Sequence, residues 1–203
     1  ADELMKHRHY FGPMMVYLGE ADGMVAGLTK HYPDTLRPAL QIIKLRNGVS
    51  KVAGLYAMVF KVGVYFIADA TVNFEPSAED LAGIAILAAQ TARRFNIEPR
   101  VALLSFSNFG SVKHPLTEKV QHALAILRHK AVDFIVDGEM QADTAVTPEI
   151  VDEFYPFSRL KGGANVLIFP DLISGNVAYK LLQRLGKAEA IGPILMGTSK
   201  PVH

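Results

Sequence analysis

Apolar and polar positions along this chain follow two periods. From residue 51 onward, short runs rich in branched apolar side chains alternate with longer stretches whose apolar residues recur every three or four positions. The first spacing is that of a buried strand, the second that of an amphipathic helix. Residues 51–61 and 64–73, joined through Gly63, predict a β-hairpin. Pro76-Ser77 followed by Glu79 and Asp80 predicts a helix start, with the helix reaching residue 95. Strands are then predicted over 100–105, 134–137, 164–169 and 190–195. Between them fall helices over 117–130 and from about 172 to 185, and short helices over 141–145 and 148–154. Residues 138–141 are read as a loop. Upstream, residues 2–18 look helical with an interruption near Gly12-Pro13. Residues 24–27 read as a short strand closely approached at Gly27, and residues 29–33 as a loop. A helix opening at Asp34-Thr35 is closed by Arg46-Asn47-Gly48. Strands separated by helices of this length predict an α/β fold: a three-layer α/β/α arrangement on a mostly parallel sheet, with the hairpin adding antiparallel strands.

In an open α/β sheet, ligands bind outside the carboxyl ends of the strands. Four loops follow strands directly. They carry Asp69, Thr71 and Asn73; Ser105, Ser107 and Asn108; Asp137 and Glu139; and Asp171, Ser174 and Asn176. If the strands are parallel, these groups share one rim. The helix after residue 171 would turn its N-terminus toward that rim, and Lys180 would add a positive charge, which suits an anion. The same residue types also cap helices and tighten turns, so each loop has a purely structural reading as well. Arg37, placed in the first turn of its helix, opposes the helix dipole and is either solvated or held there to meet an anion.

Composition narrows the field. The chain has 203 residues, 50% hydrophobic and 20% charged, with a net charge of +1. That suits a globular protein with a real core and argues against a nucleic-acid binder. With no cysteine there is no disulfide framework or thiolate nucleophile, in keeping with a cytoplasmic setting. No apolar run is long enough to span a bilayer. The seven histidines show no metal-ligand spacing. Residues 1–6 read like the middle of a helix, and the ending Lys200-Pro-Val-His203 follows a strand without a closing element, as expected for a piece of a longer polypeptide.

Several stretches, taken together, resemble the phosphate acetyltransferase family. They are Thr35-Leu-Arg37-Pro-Ala-Leu-Gln-Ile-Ile-Lys44, Phe66-Ile-Ala-Asp69-Ala-Thr-Val-Asn73, Glu98-Pro-Arg-Val-Ala-Leu-Leu-Ser105, Asp137-Gly-Glu-Met-Gln141, Phe169-Pro-Asp-Leu172, Gly175-Asn-Val-Ala-Tyr-Lys180 and Ile191-Gly-Pro-Ile194. The resemblance implies two α/β/α lobes of the isocitrate dehydrogenase type. Residues 1–46 would belong to the first lobe and 47–195 to the second, with 196–203 returning toward the first. It also implies a cleft that binds coenzyme A or acetyl-CoA, in which Arg37 matches a substrate-binding arginine. The candidate ligand-binding residues are Thr35, Arg37, Ser105, Ser107, Asn108, Asp137, Asn176 and Lys180. The family's catalytic Ser-Arg pair and the Asp after it would lie beyond the proline matching Pro201, so no residue here is assigned a catalytic role.

Tyr10-Phe-Gly-Pro-Met-Met15, Ala21-Asp-Gly-Met24, Ser107-Asn-Phe-Gly110 and Lys200-Pro-Val-His203 are similar to one branch of the family. That branch is the C-terminal region of bacterial NADP-dependent malic enzymes. On this likeness the chain would be a non-catalytic regulatory module that binds acetyl-CoA. Oxidative decarboxylation of malate, with NADP and a divalent metal, would belong to a separate N-terminal part. The alternative is an active phosphate acetyltransferase, joining acetyl-CoA and phosphate. Either way, the implied partners are a small anionic ligand and further copies of the chain, at least a dimer, without nucleic acid or membrane.

Overall fold

The computed structural model describes residues 2–28 and 32–203. The chain forms two compact units: residues up to Val52 together with Leu195–His203, and Ala53–Ile194.

The first unit carries α1 (Asp2–Met5), α2 (Arg8–Leu18) and α3 (Tyr32–Ile42). Val16, Ala39, Ile43 and Val202 form its core, with Met24 and Ile42 packed against them. Several expectations are corrected here. The helical break falls at Lys6-His7 rather than at Gly12-Pro13, and α2 continues through a buried Pro13 at the cost of one intrahelical hydrogen bond. Met24 makes an isolated parallel bridge to Val202 rather than a strand. Gly27 has nothing near its missing Cβ; its φ of +111° is what calls for glycine. Of the loop expected over 29–33, residues 29–31 lie outside the described part, and Pro33 is already helical. Proline is well tolerated in a first turn, so it does not mark a loop. Arg37 therefore lies beyond the first turn of α3, and the dipole argument against it falls away. The helix ends at Ile42, and Leu45 then bridges Thr198.

The second unit is built on a six-stranded sheet in the order β4-β3-β5-β2-β1-β6. Its strands are β1 (Ala53–Phe60), β2 (Gly63–Ala68), β3 (Arg100–Leu104), β4 (Ile135–Met140), β5 (Val166–Ile168) and β6 (Glu189–Met196). β1 and β2 are the expected antiparallel hairpin, in register from Leu55↔Ala68 to Phe60↔Gly63. β2 pairs parallel with β5, β5 with β3, and β3 with β4. The helices are α4 (Ala78–Arg94), α5 (Pro115–His129), α6 (Ala142–Val146), α7 (Pro148–Phe154) and α8 (Leu172–Arg184).

Strand residues alternate between two buried faces. Tyr56, Met58, Ile67, Ala102, Leu104 and Leu167 pack with Ala145 of α6 and Tyr179, Ala178 and Leu182 of α8. The residues between them, such as Phe66, Val101, Leu103 and Ile168, are fully buried toward the other layer, where Phe66 meets Phe95 at the end of α4 at 5.5 Å. Both faces are covered, which is why these strands read as nearly continuous apolar runs. One strand differs from its reading. β4 extends to Met140, so Asp137, Gly138 and Glu139 are strand residues and not the start of a loop.

Candidate functional site

Because β2, β3, β4 and β5 run parallel, the segments after Ala68, Leu104, Met140 and Ile168 leave the sheet at one edge. The rim inferred from the sequence therefore exists, and hydrogen bonds tie its loops together. Leu172 N–H donates to Phe74 O, Lys119 Nζ to Pro170 O at 2.8 Å, Ser105 N–H to Met140 O, and Phe109 N–H to Glu139 O.

Asp69 organises the loop after β2. It is 1% exposed, and its carboxylate accepts from the backbone N–H groups of Gly54, Thr71, Val72 and Asn73 and from the Asn73 side chain. α8 is docked directly on this loop. A Cβ on Gly175 would lie 2.3 Å from Asp69 O, so only glycine permits the approach. Asn176 Nδ2 then donates to Ala70 O at 3.1 Å.

The loop after β3 is held from β4. Ser107 is fully buried, and its hydroxyl donates to Glu139 Oε1 at 3.0 Å, accepts from Val112 N–H, and lies 3.0 Å from Ser111 Oγ. Glu139, 1% exposed, also accepts from Gly110 N–H at 2.6 Å. Asn108 and Gln141 clasp each other. Gln141 N–H donates to Asn108 Oδ1 at 2.7 Å, and Asn108 Nδ2 donates to Gln141 Oε1 at 3.3 Å. Gln141 Nε2 also reaches Phe106 O. Ser105 contributes its backbone to this junction.

Asp137 sits within β4, pointing to the same face as its register partner Ala102. It accepts from Ser158 Oγ, Arg159 N–H and Arg128 Nη2, the last at 3.0 Å. Arg128 comes from α5, and its partner Asp137 lies on β4, the outermost strand on that side of the sheet. A cleft of about 690 Å³ opens there. Phe109, Arg128, Asp137, Glu139, Phe157 and Arg159 line it. Phe109, Tyr155 and Phe157 form an aromatic cluster with ring centroids 5.0 to 6.2 Å apart.

The N-terminus of α8 already carries an anion of its own. Asp171 Oδ1 accepts from Ser174 N–H at 2.8 Å, and Ser174 Oγ donates to Asp171 O. The capping reading holds for this turn, and the cap opposes a second negative charge there. Lys180 is nine residues along the helix, more than the single turn expected, and is exposed with its ammonium 5.1 Å from the Tyr179 ring centroid. In the first unit, Thr35 is 6% exposed with its hydroxyl unpartnered, and Arg37 is exposed. Asp69, Asp137 and Asp171, read from the sequence as sharing one rim, are each bound into a separate local network. Among the described residues, no three His, Cys, Asp or Glu side chains form a group that could hold a metal, and no helix is long and apolar enough to cross a membrane.

Sequence reasoning missed the anchoring roles of Glu139 and Gln141 and the place of Arg159 in the cleft. The signal was there in part: Asp137 and Glu139 flank a glycine in a run that is otherwise apolar, where an acid is exposed or bonded.

Over residues 1–203 the chain matches the family model described as phosphate acetyl/butaryl transferase. A protein of Bacillus subtilis (strain 168) named phosphate acetyltransferase is 48% identical over 203 residues, covering 100% of this chain and 63% of that relative. The structure superposes on a phosphotransacetylase from Streptococcus pyogenes with a TM-score of 0.94 and 46% identity, covering 99% of this chain and 62% of the other. For the EutD phosphotransacetylase from Staphylococcus aureus the TM-score is 0.92 and the identity 43%, over 99% of this chain and 62% of that one. The chain thus spans about 63% of the length of the curated relatives it matches. These findings overturn the expectation of a non-catalytic malic enzyme fragment. The relatives are named as acyltransferases, and the features around Asn108-Phe109 and Lys200–His203 that suggested the other branch occur in a chain nearly half identical to one of them. NADP, malate and allosteric control gain no support.

Proposed function

We infer what this chain does from one plain fact: it belongs to the phosphate acetyl/butaryl transferase family. It takes part in transferring an acetyl group between coenzyme A and inorganic phosphate. In that reaction a phosphate oxygen attacks the thioester carbonyl, the carbon–sulfur bond breaks, and acetyl phosphate and the coenzyme A thiolate are formed. The observation that carries the reading is the 48% identity to a phosphate acetyltransferase across every residue of this chain. Four parallel strand ends on one rim give the second support, as this is where α/β sheets bind ligands.

Both substrates are anionic, and the reaction builds negative charge at the carbonyl oxygen. A cation is needed, and Arg37, exposed and without a side-chain partner among the described residues, supplies it in this reading. Ser105, Ser107, Asn108, Asp137, Asn176, Lys180 and Thr35 remain the candidate ligand-binding set. Ser107, Asp137 and Asn176 serve it by holding the rim loops in place, since Ser107 Oγ, the Asp137 carboxylate and Asn176 Nδ2 are engaged in the protein. The two compact units are the two lobes, and the protein works as a homo-oligomer of at least two copies. A thiol reagent reports released coenzyme A once the signal of a control without acetyl-CoA is subtracted. Thiol release from acetyl-CoA that depends on phosphate, with acetyl phosphate as product, is the expected result for the whole protein. No phosphate-dependent release would refute the reading.

A further inference from the structure

Acyl transfer gives no task to the cleft of about 690 Å³ beside β4, yet one of the groups lining it is incompletely bonded. Glu139 is 1% exposed, and its two donors, the Ser107 hydroxyl and Gly110 N–H, both go to Oε1. Oε2 accepts from no donor among the described residues and is left to the cleft. A buried carboxylate oxygen without a donor is costly, and it calls for an N–H or O–H from outside the chain.

Cations gather two residues back along β4, roughly 7 Å away. There Asp137 accepts from Arg128 Nη2 and from Arg159 N–H, so one carboxylate fixes both arginines at the cleft. Asp137 offsets the charge of Arg128, whose guanidinium uses only one of its five N–H donors in the protein. Arg159 is exposed and has no carboxylate partner among the described residues. The wall is aromatic. Phe109 has a φ of +47°, which a bulky side chain rarely adopts. Glu139 holds it there, through its own carbonyl on Phe109 N–H and its carboxylate on Gly110 N–H. The Phe157 ring stands 5.0 Å from that of Phe109, nearly perpendicular to it, and Phe157 is 67% exposed.

We propose that this cleft binds a purine mononucleotide, apart from the substrates of acyl transfer. The base lies on Phe109 and Phe157 and donates an N–H to Glu139 Oε2, and the phosphate meets Arg159 and Arg128. This goes beyond the acyl-transfer reading and does not depend on it. The volume is that of an ordinary small-molecule site, about 300–1,000 Å³. Free phosphate would leave Glu139 and the rings unused. A free amino acid carries its amine and carboxylate too close together to reach from Glu139 to the arginines. A base joined to phosphate through a ribose meets all three features, and a purine offers the larger face for stacking.

The test is calorimetry of the whole protein with adenosine and guanosine monophosphates. At least one should bind with a Kd below about 1 mM. Phe157→Ala should weaken it roughly tenfold through lost stacking. Arg159→Ala should weaken the nucleotide roughly tenfold and leave the matching nucleoside unchanged, because only the phosphate is lost to it. Both side chains are exposed, so neither change disturbs the fold. Glu139→Gln places a donor where Oε2 accepts and should also cost roughly tenfold. Circular dichroism checks that this variant folds, and if it does not, the two exposed positions decide the matter. No heat from either nucleotide at millimolar concentration would overturn the proposal. So would affinity indifferent to both Phe157→Ala and Arg159→Ala, or inorganic phosphate binding as tightly as the nucleotide. Loss of nucleotide binding when coenzyme A is added would place the nucleotide in the transferase site and overturn it as well.

Discussion

The same change, glycine to alanine, should move stability in opposite directions in two helices of the second unit. Gly83 in α4 has nothing within 4 Å of where an alanine methyl would sit, and its φ is not in the left-handed region. Gly83→Ala therefore gains helix propensity and loses chain entropy in the unfolded state, for about 0.5–1 kcal/mol of added stability. Gly175 in α8 would gain the same propensity term. Its Cβ, however, would lie 2.3 Å from Asp69 O and 3.3 Å from Asp69 C, and backbone atoms of a loop pinned by five hydrogen bonds cannot swing away. The helix must move instead. Overpacking of this kind costs about 1–3 kcal/mol. Loss of the Asn176–Ala70 hydrogen bond adds about 1 kcal/mol. After subtracting the propensity gain, Gly175→Ala should lose about 1–3 kcal/mol. Urea unfolding followed by circular dichroism resolves this, because at a slope of about 2 kcal/mol per molar the two variants should stand about 1 M or more apart in midpoint. If Gly175→Ala raised the midpoint as Gly83→Ala does, the docking of α8 on the Asp69 loop would not be as described.

Other outcomes follow from the same networks. Asp69→Asn turns one acceptor oxygen into a donor facing backbone N–H groups and should cost about 2–3 kcal/mol in urea unfolding, with Asp69→Ala costing more. Arg37→Ala should weaken acetyl-CoA binding roughly tenfold by calorimetry, the loss of one charge-assisted contact, and unchanged affinity would remove Arg37 from the site. Glu79 is held below the ordinary carboxylate range, first by a backbone hydrogen bond and then by the Ser77 hydroxyl. Its contribution is present above its unfolded value and is lost as pH falls through its lower folded value, so Glu79→Gln should reduce the loss of stability on acidification.

Much of this architecture is legible in the sequence because local chemistry and global fold agree. Ser77 and Asp80 form the capping box that opens α4, as the acids after Pro76 suggest, and the expected hairpin forms, although it turns at Lys61-Val62 and Gly63 already pairs with Phe60. Where sequence and structure part, the deciding partner lies far along the chain. Asp137 looks like a strand end because it is a carboxylate, yet β4 runs on past it. Its acceptors are satisfied by Arg128, Ser158 and Arg159, which no local pattern announces. Glu139 reads as rim chemistry, yet Ser107 and Gly110 come to it from 32 and 29 residues away. The rim itself is legible because strand direction follows from the alternation of strands and helices. The bonding inside it is not, since Asn108 and Gln141 are ordinary loop residues until the fold makes them neighbours. The choice between family branches rests on a few residues around Asn108 and Lys200, too few to outweigh identity spread over the entire chain.

The guanidinium of Arg128 is anchored on a side chain of the outermost strand, β4, through Asp137. A terminal strand offers its spare backbone groups to any other chain that drifts past, and a bulky cation bound to it turns such visitors away. Shortening that side chain to alanine should therefore change the melting behaviour less than the shelf life: concentrated solutions would grow turbid well before the fold itself gave way.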